Sequence, residues 1–454
     1  MSQPAPSDPP PDSKFGPAVW ITIASLAGLV ATYAWAELAP STVAKLVFAV
    51  FQITTVSIVI WQACEPFADA AQFLGERWRI PSSVRGATLD AIASSLPELF
   101  TGLFFVFVAI KSADPDHAMI DPGEGFGATI ATCAGSAVYN MILIPAFCGI
   151  AIAFTRHHKP VIEIDRAVIA RDGFWFLVCE VVLVAFLFQK QLSWHLAVVL
   201  IVLYAIYLTW LWLDARKYRV ARAEAISHLR IIDTPSDQQI RFALADNGIV
   251  ATPNLIDYVR RELGDDVNLR EEVDDIDSAG VLFGWIRIPL RLAIAYLVLV
   301  GSTVITAVAC YWLVEVTVAI ANALVVPIFF VAVIVAAAAS SVPDTLLSIA
   351  AARRGDDDGA VSNAFGSNIF DICICLSVPL IAGIYFNGGH PIDLTVDGKP
   401  MPGLFGLQVL LLTLTAITLG ILAHRLQLTL RKSCFLVALY LVFIGYAVLG
   451  SLGI

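Results

Sequence analysis

Long apolar runs separated by short polar stretches fill most of this chain. A helix needs about 20 apolar residues to cross the hydrocarbon core of a bilayer. The pattern gives eleven such runs, near residues 17–38, 43–64, 84–110, 128–154, 173–189, 194–213, 287–315, 323–352, 360–386, 403–423 and 433–452. It therefore predicts an all-α multi-pass membrane protein.

The composition agrees with a location in the bilayer. Hydrophobic residues make up 58% of the 454 positions and charged residues 15%, and the mean hydropathy is +0.79. A soluble protein of this length would carry more charge. The net charge of −10 and the lack of a basic stripe give no indication of nucleic-acid binding. We expect membrane lipid as a partner, and the oligomeric state stays open.

The first apolar run has two interpretations. A Pro-rich leader, residues 1–16, precedes it, and Ala34-Trp35-Ala36 resembles a signal-peptidase site. We expect residues 1–16 to be disordered and residues 17–40 to be either an extra N-terminal helix or a cleaved signal. The other ten runs form the core.

Basic residues indicate the orientation of the core. Of the 28 Lys and Arg, 23 fall in one alternating set of loops and four in the other. Since basic residues stay on the cytoplasmic side, the first set is predicted to be cytoplasmic, in a plasma or inner membrane. The expected layout is a first transmembrane repeat over 41–213, a cytoplasmic loop over 214–284 and a second repeat over 285–454.

The loop over 214–284 is rich in charge and predicts one or two short polar helices, one of them at "PNLIDYVRREL". A solvated linker is the favoured interpretation. A calcium-sensing acidic patch is the alternative, although the spacing of an EF-hand is missing.

Two stretches of the core repeat each other in composition. "ASSLPELFTG" (93–102) and "ASSVPDTLLS" (339–348) both place two serines and a proline before an acid, Glu98 or Asp344, and each acid follows an earlier proline by 17 residues. Downstream, "GSAVYN" (135–140) matches "GSNIFD" (366–371).

The two copies run in opposite directions across the membrane. The first enters from the side of Arg85, and the second ends on that same side at Arg353 and Arg354. Inverted repeats that meet at the bilayer midplane are typical of secondary transporters. The prediction is a ten-helix core built of two inverted-topology repeats, plus one extra N-terminal apolar helix.

The repeated motif carries groups that are costly in lipid. Pro97 and Pro343 each lack an N–H and push a carbonyl aside, so we expect both helices to be broken there. Each serine pair lies three and four residues before its acid, and hence on the same helix face. A single serine or glycine in such a helix is usually a packing residue, but acids at this depth are functional by default.

Carboxylate, hydroxyl and amide oxygens that converge from two helices suit Ca²⁺ or Na⁺ and not zinc or copper. Gly135 and Gly366 are expected to allow close backbone approach. The candidate ligands are Glu98, Asp344, Asp371, Asn140, Ser94, Ser95, Ser136, Ser340, Ser341 and Ser367.

At these residues the chain resembles the cation/calcium antiporter superfamily, and most of all the potassium-dependent sodium/calcium exchangers. The resemblance rests on "GATLDAIASSLPELFTG" and "GSAVYN" in the first half, and on "SSVPDTLLSIAAARRGDDDGAVSNAFGSNIFDI" in the second. It implies that core helices two, three, seven and eight hold the ions while helices one and six slide across them. It also implies that Glu98 and Asp344 are the central carboxylates.

The chain departs from the family's pattern at three places. Ala93 and Ala339 stand where the family has glycine, and Ser340 stands where threonine is common. Asp90 occupies a position that is normally apolar. It is interpreted either as a salt-bridged or cytoplasm-facing acid or as an extra ion or proton site.

The expected function is antiport of Ca²⁺ against Na⁺, with K⁺ co-transport left open. If Glu98, Asp344 and Asp371 are all ionised, their charge matches Ca²⁺ plus one K⁺, or three Na⁺. A proton-coupled antiporter of Ca²⁺ or another divalent cation is the alternative, followed by a passive channel and a scaffold. We expect no resident cofactor, since the cations are cargo. We also expect no enzyme activity, because His157 and His158 lie in a basic loop next to Lys159 and no nucleophile or nucleotide motif accompanies them.

Overall fold

The computed structural model of the chain describes residues 17–39, 41–78, 89, 91–111, 122–156, 160–164, 166, 169–189, 191–232, 235–247, 249, 256, 259–260, 263, 278–353, 357–396, 399–401 and 403–451. Asp90 and the leader over 1–16 lie outside the described residues.

Helices make up most of the fold. The first half contains α1 (Pro17–Leu38), α2 (Thr42–Arg77), α3 (Ala91–Lys111), α4 (Pro122–Thr155), α5 (Phe174–Leu187) and α6 (Trp194–Leu229), followed by the short α7 (Asp237–Asp246). The second half contains α8 (Leu292–Leu324), α9 (Ile328–Val331), α10 (Ala337–Ser340), α11 (Val342–Arg353), α12 (Asp357–Phe370), α13 (Ser377–Phe386), α14 (Leu404–Ala423) and α15 (Leu430–Ser451).

Among the described elements, three π-helical turns interrupt the helical spans. They are π1 (Ile169–Gly173) before α5, π2 (Ala332–Ala336) between α9 and α10, and π3 (Asp371–Cys375) between α12 and α13. Single π-turns of this kind are frequent at functional sites.

Every predicted apolar run overlaps with at least one of these helices, which confirms the multi-pass prediction. Within the described residues, nine helices are long and apolar enough to cross a membrane, and the bent segment from Ile328 to Arg353 makes a tenth. The run over 173–189 forms π1 and α5.

Short antiparallel strand pairs join the two halves at their loops. β1 (Ile162–Glu163) pairs with β8 (Gln427–Leu428), and β2 (Gln191–Leu192) pairs with β5 (Ile392–Asp393). The first pair links the α4–α5 connection to the α14–α15 connection. The second links the α5–α6 connection to the α13–α14 connection, so an inverted repeat relates one pair to the other.

Two further strand pairs are hairpins, β3 (Ser278–Val281) with β4 (Ile286–Pro289) and β6 (Thr395–Val396) with β7 (Lys399–Pro400). The β3–β4 hairpin explains why α2 runs 13 residues past its apolar run. Polar side chains of α2 accept backbone hydrogen bonds from it, Gln62 from Phe283 N at 2.7 Å and Asp69 from Gly280 N at 2.9 Å.

The long helices α2 and α8 pack against each other along one side of the core. Buried residues of α2, including Val56 and Ile60, meet Ala309 and Leu313 of α8 in one apolar cluster. α1 packs on the same α2, where Ser25 and Thr55 share a hydrogen bond of 2.8 Å.

The structure modifies the prediction for the large loop. α6 continues to Leu229, beyond the predicted end at residue 213, and packs against α7 through a small apolar cluster that includes Ile226, Ile240 and Leu244. Of the segment "PNLIDYVRREL", the structure describes Ile256, Val259, Arg260 and Leu263, which are all helical.

Candidate cation-binding site

The ten described candidate ligands come together at the centre of the core. They lie on α3, α4, the α10–α11 segment, α12 and the start of π3. Each is at most 1% exposed: Ser94, Ser95, Glu98, Ser136, Asn140, Ser340, Ser341, Asp344, Ser367 and Asp371. Asp90 lies outside the described residues, so the structure does not test its predicted roles.

The predicted break at Pro97 is wrong, because α3 runs from Ala91 to Lys111 with this proline inside it. Thiol groups on neighbouring helices donate to backbone carbonyls around it: Cys375 Sγ lies 3.5 Å from Ser95 O, and Cys310 Sγ lies 3.5 Å from Pro97 O. Both contacts flank the proline, and neither involves Ala93 O, the carbonyl that the missing N–H of Pro97 leaves without its helical donor.

The predicted break in the second half is confirmed. The helix direction changes by 42° between the segments Ile328–Ser340 and Val342–Arg353. The residue between them, Ser341, has φ −85° and ψ 4°, outside the helical region.

Serine hydroxyls connect the two halves in symmetry-related pairs. Ser95 Oγ lies 2.9 Å from Ser367 Oγ, and its repeat mate Ser341 Oγ lies 2.9 Å from Ser136 Oγ. In each half the first serine of the motif donates to a carbonyl three residues back, Ser94 to Ala91 at 3.3 Å and Ser340 to Ala337 at 3.1 Å. These equal contacts show that the repeats meet as inverted copies.

Hydroxyls also donate to the acids. Ser136 donates to Glu98 Oε1 at 3.2 Å and is equally close to Asp371 Oδ2, again at 3.2 Å. In the symmetric position Ser367 donates to Asp344 Oδ2 at 3.1 Å. Ser136 therefore connects one carboxyl group of each half.

Asn140 completes the ring of contacts. Its Nδ2 lies 3.3 Å from Asp344 Oδ2 and 3.3 Å from Ser136 Oγ. Through these groups, Glu98, Asp344 and Asp371 belong to one continuous hydrogen-bonded cluster.

Several oxygens of the cluster are buried and lack a hydrogen-bond partner among the described residues. They are Glu98 Oε2, Asp344 Oδ1 and Asn140 Oδ1. All three are acceptors, and buried acceptors are normally satisfied. A cation satisfies them without needing a further donor.

The cluster contains no compensating positive charge within the helices that form it. α3 and α11 carry bases only at their last residues, Lys111 and Arg353, and α4, α12 and α13 carry none. The ion pairs that the structure describes lie elsewhere, such as Arg156 with Asp357 at 2.7 Å. Three acids in a dehydrated site need counter-charge, and bound cations or protons can supply it.

Sequence reasoning missed Asn368. Its side chain is 0% exposed, and Nδ2 donates to Ala137 O at 3.1 Å. Ala137 occupies the matching position of the first repeat, directly after the glycine and serine. Its amide side chain in the motif "GSNIFD" (366–371) of an apolar run is the signal in the sequence that points to it.

The two glycines of the repeat behave differently. A methyl group on Gly135 would collide with Val333 O of π2 and lie 2.8 Å from Ala337 Cβ, so the expected close approach is confirmed there. No atom of the residues that the structure describes lies within 4 Å of such a methyl group on Gly366, and the expectation for this position is wrong.

Comparisons with known proteins agree with this architecture. The sequence profile of the family described as "Sodium/calcium exchanger protein" matches residues 47–213 and 294–449. Human sodium/potassium/calcium exchanger 4 is 30% identical over 142 residues, which are 31% of this chain and 20% of that protein. Human sodium/potassium/calcium exchanger 1 is 31% identical over 221 residues, which are 46% of this chain and 18% of that protein.

The matched segments span about a fifth of the length of these curated relatives. Among solved structures, the H⁺/Ca²⁺ exchanger CAX has the same fold, with a TM-score of 0.55 and 15% identity over 96% of this chain and 92% of that one. The family profile covers both repeats and all ten described candidate ligands. This chain belongs to the sodium/calcium exchanger protein family.

Proposed function

We propose that this protein is a secondary active antiporter that exchanges Ca²⁺ for Na⁺ across a membrane. The observation that carries the proposal is the cluster of Glu98, Asp344 and Asp371, which is fully buried and joins both inverted repeats. It contains acceptor oxygens that have no hydrogen-bond partner in the part of the chain that the structure describes. Hard oxygen ligands of this kind suit Ca²⁺ and Na⁺.

In this proposal each residue type has a distinct role. Glu98 and Asp344 provide the central charge, one from each half, and Asp371 adds a third carboxylate. Asn140 and the six serines complete the ligand shell and orient the acids. The hydrogen bonds between the serines hold the cluster together while cations replace one another.

K⁺ transport together with Ca²⁺ extends the proposal. Three ionised carboxylates match the charge of Ca²⁺ plus one K⁺, or of three Na⁺, so the same site remains neutral in both directions of exchange. The similarity to human sodium/potassium/calcium exchangers 1 and 4 supports this extension.

Proton coupling is the second candidate function. Three carboxyl groups within one hydrogen-bonded cluster cannot all stay ionised without a counter-charge, so protons can occupy the site when metal ions leave. A proton gradient could then drive Ca²⁺, or another divalent cation, through the same ligands.

Flux into proteoliposomes tests the proposal. ⁴⁵Ca²⁺ uptake is measured with Na⁺, K⁺ and pH gradients imposed one at a time. Uptake driven by an outward Na⁺ gradient supports Na⁺ exchange, and its stimulation by K⁺ supports co-transport. Uptake driven only by a pH gradient supports the second candidate. Flux without any counter-ion gradient indicates a channel and contradicts both.

The orientation is part of the same proposal. The bias of basic residues supports a cytoplasmic position for the loop over 214–284, in a plasma or inner membrane. Protease accessibility of this loop in right-side-out and inside-out vesicles tests it, because cleavage should occur in the inside-out vesicles alone.

A further inference from the structure

Another carboxyl group lies in the membrane core outside the cation cluster, at Glu180 in α5. Its side chain is 0% exposed, and Thr415 of α14 donates a hydrogen bond of 2.8 Å to Oε1. The other oxygen, Oε2, is buried without a hydrogen-bond partner among the described residues. An acid at this depth with one unsatisfied oxygen requires a physical explanation.

Among the described residues, no base pairs with Glu180. α14 has no ionisable residue, and Arg171 of π1 pairs with Asp172 at 2.7 Å. The bases of α6 are His195, beside its first residue, and a group on its extension past the apolar run that ends at residue 213: Arg216, Lys217, Arg219, Arg222 and His228. The other titratable groups on the segments that pack against α5 are neutral or acidic: Cys179 of α5 itself, Tyr204, Tyr207, Asp214, Tyr218 and Glu224 of α6, Asp357 and Asp358 of α12, and Asp371, Cys373 and Cys375 of π3.

A metal ion does not fit this position. Ca²⁺ takes about six to eight oxygen ligands. The described oxygens at the α5–α14 contact that are buried and without partners are Glu180 Oε2 and Thr418 Oγ1, which lies one turn after Thr415. A proton needs no such shell.

We propose that Glu180 is a proton-binding site of this protein, separate from the cation cluster. Its carboxyl group is held as the neutral acid at neutral pH, with the proton on Oε2, while Oε1 accepts the hydrogen bond from Thr415. The proton removes the charge that the apolar contact between α5 and α14 could not accommodate.

Infrared spectroscopy of the full-length protein in lipid nanodiscs tests this site directly. A neutral carboxyl group has a C=O stretching band that a carboxylate lacks. At neutral pH the wild type should show a band that is lost in Glu180→Gln and retained in Glu37→Gln, a control at an exposed glutamate of α1. Identical spectra of the wild type and Glu180→Gln would overturn the proposal.

Substitution of the hydrogen-bond donor gives a second readout that keeps the acid in place. Thr415→Val should shift the band to higher frequency, because a C=O group that no longer accepts a hydrogen bond vibrates faster. Thr413→Val is the matched control, since this exposed threonine of the same helix donates to Val409 O of its own helix. A band that stays in place in Thr415→Val would contradict the proposed geometry.

The pH dependence of unfolding provides the third arm. An unfolded glutamate ionises near pH ~4.3. Above this pH the unfolded state therefore binds fewer protons than the folded state, in which Glu180 keeps its proton. The free energy of unfolding then falls as the pH rises. Glu180→Gln should therefore melt near the wild type at pH 5 and above it at pH 8. A variant that melts below the wild type at pH 8 would show that the ionised form is needed.

None of these three readouts depends on transport. They can therefore fail while the proposed exchange activity stands.

Discussion

The two inverted halves of the core contribute to one cluster, but they differ in local helix structure and in the number of carboxyl groups. In the first half α3 continues through Pro97, whereas the second half bends by 42° at Ser341. The first half contributes one carboxyl group, from Glu98, and an amide from Asn140. The second contributes two carboxyl groups, from Asp344 and Asp371.

The hydroxyl contacts, in contrast, are nearly equal in the two halves. Both serine pairs across the halves lie at 2.9 Å. Each acid of the proline motif accepts from the glycine-motif serine of its own half, Glu98 from Ser136 at 3.2 Å and Asp344 from Ser367 at 3.1 Å. The residues that both repeats share therefore fix the positions of the hydroxyl oxygens. The residues at which the repeats differ set the number of carboxyl groups in each half and the bend of the second-half helix. Substitutions at matched positions can separate these contributions.

The largest effect is expected at the central acids. Glu98→Gln and Asp344→Asn should each abolish Na⁺-driven ⁴⁵Ca²⁺ flux in proteoliposomes, because each removes one of the two charges that we place at the centre of the site. Equal loss in both variants would support equivalent roles for the halves. Folded protein, checked by size-exclusion chromatography, should be retained, with Glu37→Gln as the control. Flux in both variants would remove the assignment.

Substitution of the two matching glycines, Gly135 and Gly366, should have different effects on the stability of the protein. Gly135→Ala should reduce the yield of folded protein and lower the melting temperature, because the added methyl group meets the backbone of π2. A cost of about 1–3 kcal/mol is expected for such overpacking. Gly366→Ala is the matched control and should behave like the wild type. Equal stabilities of the two variants would contradict the different packing of these glycines.

Asp371→Asn makes the charge of the second half equal to that of the first. The variant should retain Na⁺-driven calcium flux but lose its stimulation by K⁺, because two carboxylates no longer balance Ca²⁺ plus K⁺. The measurement is ⁴⁵Ca²⁺ uptake with and without K⁺ at fixed Na⁺ gradient. If K⁺ does not change ⁴⁵Ca²⁺ uptake by the wild type, co-transport of K⁺ is contradicted without the variant.

The smallest effect is expected from the shared hydroxyl. Ser136→Ala removes a donor to both Glu98 and Asp371 and should weaken apparent Ca²⁺ affinity by about tenfold, the order expected for a hydrogen bond to a charged group. Ser433→Ala is the control, because this buried serine of α15 donates to Thr429 O, away from the cluster. Equal affinities for the two variants would exclude a role for the shared donor.

The sequence predicted the parts of the site that depend on pattern. Runs of apolar residues located the helices because the bilayer imposes length and polarity on every span. The repeated acids and serines located the candidate ligands because such groups are rare in lipid, and all ten are buried at the contact between the two halves.

Local backbone geometry and contacts between distant segments could not be read in the same way. Proline alone predicted a break at position 97, whereas α3 is continuous there, and thiols of Cys310 and Cys375, distant in sequence, contact the carbonyls of Pro97 and Ser95. Likewise, α2 extends past its apolar run because a hairpin more than 200 residues later binds its polar side chains. Glu180 was overlooked since it stands alone and belongs to no repeated motif.

The most direct test is a crystal structure with Ca²⁺ or Sr²⁺ and an anomalous difference map. The account predicts a peak between the two halves, within about 2.3–2.6 Å of carboxylate oxygens of both Glu98 and Asp344 for Ca²⁺. A peak that contacts only one half, or that lies away from these acids, would contradict it.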